Sequence, residues 1–136
     1  MNKINKEQIL AILNEIDLSE ANRLFSVEYI TKVEQSAINT IMPRSPKLAL
    51  AWLVSTKHEG FKEELASLME EKNALYGFAS LNPKRVVSTR EVTPKDSIAM
   101  RIDDKIARYN NTPKEKDTED TVMDIIGYLV LYIHVM

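Results

Sequence analysis

The segment TVMDIIGYLVLYIHVM, residues 121–136, constrains the fold more than any other stretch. On a helix, Met123, Ile125, Ile126, Leu129, Val130 and Ile133 cover most of the circumference, so this helix must be enclosed on several sides. A bundle provides that enclosure; one amphipathic neighbour does not. The same helix carries Asp124, with Asp120 one turn earlier and Gly127 and Leu131 along the same stripe. A buried, uncompensated carboxylate costs several kcal/mol or takes up a proton. A basic partner, hydrogen-bond donors or a divalent cation would offset that cost. For Asp120 the helix dipole is sufficient, because acids are favourable in a first turn. That explanation reaches Asp124 less well.

The rest of the chain supplies the surrounding helices. Three glycines in 136 residues and few β-branched alternations leave helical periodicity dominant. A first short helix is expected over about 6–16. Ser19 can cap a second, EANRLFSVEYITKVEQSAINTI, which stops before Pro43. Pro46 opens a long third pattern through KLALAWLVSTKHEGFKEELASLMEEKN, with a bend expected at Gly60. The marks TPKD from Thr93 and TPKE from Thr112 each combine a cap residue, a proline at the first helical position and an acid. The first opens DSIAMRIDDKIARYN; the second leads into the last helix, with Asp117 or Thr118 as alternative later caps. The expectation is an all-α bundle of about five helices forming a single domain over 1–136. In it 1–57 complete a core made by 59–136, and a functional-looking loop spans about 74–94.

Composition narrows the chemistry. With 44% hydrophobic and 28% charged residues the chain has the balance of a soluble globular protein. The net charge of −2 gives no general attraction to nucleic acid, so nucleic acid is not an expected partner. No cysteine means no disulfide, thiolate zinc site or cysteine nucleophile, and His58 and His134 do not form a zinc motif. A metal would be held by oxygens, which suits Mg²⁺ or Mn²⁺. The amphipathic start, MNKINKEQILAILNEIDLS, does not read as a signal peptide. The apolar run after Asp124 falls short of the roughly twenty residues that cross a bilayer, so a cytoplasmic protein without a membrane partner is expected.

Three further groups are chemical candidates. In FKEELASLMEEKN, Glu64 and Glu71 flank the core stripe of Phe61, Leu65 and Leu68, whereas Glu63 and Glu70 point nearly opposite, to solvent. An ordinary wet helix face is the alternative for all four. In RIDDKIARYN, Arg101, Lys105 and Arg108 follow the edge of an Ile98–Ile102–Ile106–Tyr109 stripe. Such a row of cations can bind phosphate, or pair within the helix with Asp104. In EKNALYGF, Lys72, Asn73 and Tyr76 lie where the helix breaks at Gly77, which is itself a sufficient C-cap; Tyr76 and Phe78 can alternatively stack on a base.

The order EEKNALYG, loop, RIDDKIARYN, EDTVMDIIGYLVLY resembles the MazG-like group of all-α nucleoside triphosphate pyrophosphohydrolases over about residues 59–136. It is nearest to the small MazG-like proteins common in bacteriophages, through K-N-x-x-Y-G and E-D-x-x-x-D-x-x-x-Y elements. The resemblance implies a homodimer or homotetramer that holds Mg²⁺ between acids of two antiparallel helices and cleaves a nucleotide between its α- and β-phosphates. Asp120 and Asp124 then stand for the second acidic motif, and the glutamates near 63–71, Glu64 and Glu71 foremost, for the first. Lys72, Asn73, Tyr76, Arg101, Lys105 and Arg108 are the implied phosphate and nucleotide contacts. The chain departs from the family's E-x-x-E and E-x-x-D: Thr121 stands three before Asp124, and no E-x-x-E occurs in 59–71. Two alternatives therefore stand beside hydrolysis. One is a nucleotide-binding or sequestering protein without turnover. The other is a helical interaction module, such as an inhibitor of a host protein.

Overall fold

A computed structural model describes residues 2–15, 30–76, 79–83, 91–117 and 120–136. These residues are all-α, with no strand among them. Helix α1 is Lys6–Asn14, α2 is Ile30–Ser36, α3 is Pro46–Ser55, α4 is Phe61–Tyr76, α5 is Pro94–Asn111 and α6 is Thr121–Val135. None is long and apolar enough to cross a membrane among the described residues.

Each start has a local cause. Asn5 caps α1 in a reciprocal box: its side chain accepts from Gln8 N at 2.8 Å, and Gln8 Oε1 accepts from Asn5 N at 2.9 Å. Ser45 and Thr93 accept from Leu48 N and Asp96 N at 3.2 and 3.1 Å, each ahead of a proline whose fixed φ suits the first turn. Helix α2 runs into one turn of π-helix, Ala37–Ile41, where Met42 N donates to Ala37 O at 3.0 Å. Pro43 follows and brings no N–H to carry the ladder on. The expected second helix is seen only from Ile30, because 16–29 lie outside the described residues.

The long third pattern is two helices, not one bent helix. Gly60 adopts φ +87°, a left-handed conformation that glycine takes without a Cβ penalty. Ser55 Oγ and Thr56 Oγ1 donate to Trp52 O and Leu53 O at 2.6 and 2.7 Å and satisfy carbonyls at the end of α3. That break adds a helix to the five expected.

The second proline mark gives only a 3-10 turn, Lys114–Lys116. Helix α6 starts later, on neither expected cap: Asp120 Oδ1 accepts from Met123 N at 3.0 Å. Asp117 instead receives Arg108 Nη2 at 3.2 Å and Thr121 Oγ1 at 3.0 Å, while Thr118 lies outside the described residues.

Helix α6 is enclosed as its composition demands. It packs most extensively on α5 and also meets α1, α3 and α4. Ile125, Ile126, Leu129 and Val130 are fully buried, joined by the continuous buried run Ala49–Val54 of α3. Burying each such side chain is worth about 1.5–3 kcal/mol, which makes α6 the axis of the domain.

Candidate functional site

Where α4, α5 and α6 diverge they leave a cavity of about 390 Å³, within the range of small-molecule sites. Helix α4 turns Leu65, Leu68, Met69, Lys72 and Asn73 to it; α6 turns Met123, Asp124, Gly127, Tyr128 and Leu131. Each set repeats at three- and four-residue steps, so each is one helix face. Arg101 of α5 and the Ala79–Ser80 segment complete the wall. Gly127 keeps the α6 side open: among the described residues a Cβ there would have only Met69 Sδ within 4 Å, at 3.9 Å.

The polar groups are unequally satisfied. The Asp124 side chain is 21% exposed and lies between two ammonium groups, Lys105 Nζ at 3.1 Å from Oδ2 and Lys72 Nζ at 3.6 Å from Oδ1. Its burial is thus offset by basic partners from two other helices. Arg101 is exposed and makes no hydrogen bond or ion pair with another described residue. Asn73 Nδ2 is buried without an acceptor, an arrangement that costs about 1–3 kcal/mol until something accepts from it.

Of the sequence candidates, Lys72, Asn73, Arg101 and Asp124 line this cavity, with Lys105 on the far carboxylate oxygen of Asp124. The others lie elsewhere. Glu64 is 63% exposed and pairs with His58 Nε2 at 3.1 Å. Glu71 is exposed and outside the cavity wall. Asp120 caps α6 at the surface. Arg108 donates through Nε to Thr121 Oγ1 and through Nη2 to Asp117, both at 3.2 Å, and so ties α5 to the start of α6. The Tyr76 side chain and Phe78 lie outside the described residues. Glu63 and Glu70 are exposed, as expected, and each also touches α1: Glu63 pairs with Lys6 Nζ at 3.4 Å, and Glu70 accepts from Lys6 N at 3.1 Å.

This donor set does not fit Mg²⁺ or Mn²⁺. Such ions take several oxygens in a near-octahedral shell. Among the described residues no three acidic or histidine side chains are placed to hold a metal, and the one acid at the cavity already has two lysines.

Sequence reasoning missed Met69, Ser80 and Tyr128 as wall residues. Tyr128 was within reach, since it follows Asp124 by one helical turn. Met69 follows Leu65 of the core stripe by one helical turn, and Ser80 belongs to a segment without periodicity. Neither a protein-family model, nor a curated protein, nor a solved structure matches the chain.

Proposed function

We propose that the chain binds a nucleotide in the α4–α5–α6 cavity, phosphate toward Arg101 and Lys72, without needing a resident metal. The observation that carries this reading is a guanidinium, Arg101, with no partner among the described residues, on the wall of one cavity with a second cation, Lys72. Arg presents a planar fork suited to phosphate oxygens, and Lys72 adds a mobile second charge. Leu65, Met69, Met123 and Tyr128 offer apolar and aromatic surface for a ring.

Calorimetry with nucleotides in EDTA tests the proposal. Each charge-assisted hydrogen bond is worth about 1.5–3 kcal/mol, so Arg101→Gln should weaken binding roughly ten- to hundred-fold. Arg101 is exposed, so the variant should melt as the parent does. No heat from any nucleotide at millimolar concentration would reject the reading.

Magnesium-dependent pyrophosphohydrolysis is the second reading, supported by the sequence resemblance and by the place of Asp124 on the cavity wall. Pyrophosphate release from nucleoside triphosphates that requires Mg²⁺ and disappears in Asp124→Asn would put it first.

A further inference from the structure

We infer that Asp124 limits the phosphate chain the cavity accepts, so that a nucleoside monophosphate binds better than the matching triphosphate when no metal is present. This inference rests on the proposed nucleotide site and names its ligand class.

The charges around the cavity are unequally paired. Lys105 and Asp124 are the tighter pair at 3.1 Å, and Lys105 does not line the cavity. Lys72 lies farther from the carboxylate, at 3.6 Å, and its side chain is 50% exposed. With Asp124 matched by Lys105, two cations remain toward the cavity, Lys72 and Arg101. A phosphomonoester carries about 1.5–2 negative charges near neutral pH, which two cations match. A triphosphate brings further negative oxygens into the same space. There they meet a carboxylate that is already on the wall and only partly shielded by solvent. Lys72 cannot serve both, because turning toward extra phosphate oxygens withdraws it from Asp124.

Asp124→Asn therefore has a signature that separates this role from a metal ligand. Neutralising the acid releases Lys72 and removes the negative charge from the wall, so triphosphate affinity should rise about ten-fold, and monophosphate affinity much less. A residue that held a catalytic metal would give the opposite sign once Mg²⁺ is supplied.

The test is calorimetry in EDTA with adenosine and cytidine mono- and triphosphates against the full chain, Asp124→Asn and Lys105→Gln, each checked by circular dichroism. The parent should bind a monophosphate about ten-fold more tightly than its triphosphate, as expected where excess like charge faces a wall carboxylate. Asp124→Asn should close that gap, and Lys105→Gln should widen it by leaving the carboxylate less compensated. If Asp124→Asn does not fold, the Lys105→Gln arm decides alone. Tighter triphosphate binding by the parent, or a gap that Asp124→Asn leaves unchanged or widens, overturns the inference and leaves nucleotide binding standing. Failure of every nucleotide to bind removes both.

Discussion

Gly127→Ala separates what the α6 wall does for the fold from what it does for the ligand. Glycine in the interior of a helix is less stable than alanine by about 0.5–1 kcal/mol, because its backbone loses more freedom on folding. Whether alanine realises that gain depends on space. The added Cβ meets Met69 Sδ at 3.9 Å, ordinary van der Waals contact, and no other neighbour among the described residues within 4 Å. The protein should therefore gain nearly the whole propensity term, raising Tm by roughly 2–4 °C for a domain of this size. The same methyl stands on the wall of a 390 Å³ cavity, over the surface assigned to the ring. Crowding a well-fitted site costs about 1–3 kcal/mol, so nucleotide affinity should fall roughly ten- to hundred-fold. Urea titration and calorimetry on one preparation read the two effects, and their opposite signs are the diagnostic result. A less stable variant would mean that α6 packs against something else at this position. A stabilised variant with unchanged affinity would show that the ligand does not lie over Gly127.

Substitutions at two further residues probe positions outside the cavity. Asp120→Ala removes the cap on α6 and should cost about 0.5–2 kcal/mol in chemical denaturation, whereas Asp120→Asn retains a capping side chain and should stay near the parent. Both should bind nucleotide normally; lost binding in Asp120→Asn would contradict a purely capping role. Tyr109 donates its hydroxyl to Glu34 Oε1 at 3.0 Å, and its pKa is raised well above the ordinary phenol range by burial first, then by the Glu34 charge and hydrogen bond. A raised folded-state pKa gives stability that is complete below the unfolded pKa and declines above it, so the parent's advantage over Tyr109→Phe should be about 1 kcal/mol at pH 7 and should narrow above about pH 10. An advantage that stays constant through pH 10.5 in urea titrations would show that the phenol titrates alike in both states.

The helices were largely legible because their causes are local. Proline after a capping Thr93, the amphipathic stripe of α5 and the apolar circumference of α6 act within a turn or two and reappear in the structure. Errors arose where one residue has two locally acceptable outcomes. Gly60 can bend a helix or end it, and the Ser55 and Thr56 hydroxyls satisfying the last carbonyls of α3 favour an end. Thr112–Pro113 can open an α-helix or one 3-10 turn; Asp117 is drawn to Arg108, thirteen residues before Thr121, and the helix waits for Asp120. That choice depends on a contact between helices, which periodicity does not encode.

Four of the cavity's residues, Lys72, Asn73, Arg101 and Asp124, were legible as candidates, but their pairing was not. Helical spacing says which residues of α4 share a face with Lys72, and which of α6 share one with Asp124. It does not say how far α4 has slid along α6, or how α5 is rotated against both. Those two degrees of freedom determine whether Asp124 meets Glu64 and Glu71, as a metal site requires, or Lys72 and Lys105, as the structure has it. The consequence is electrostatic. A carboxylate compensated by ammonium groups has no unmet need for a hard cation, and the charge left over at the cavity has the opposite sign, carried by Arg101 and in part by Lys72. The same residues thus describe a cation site or an anion site according to inter-helix register alone, so substitutions at Asp124, which move the two in opposite directions, are the place to decide between them.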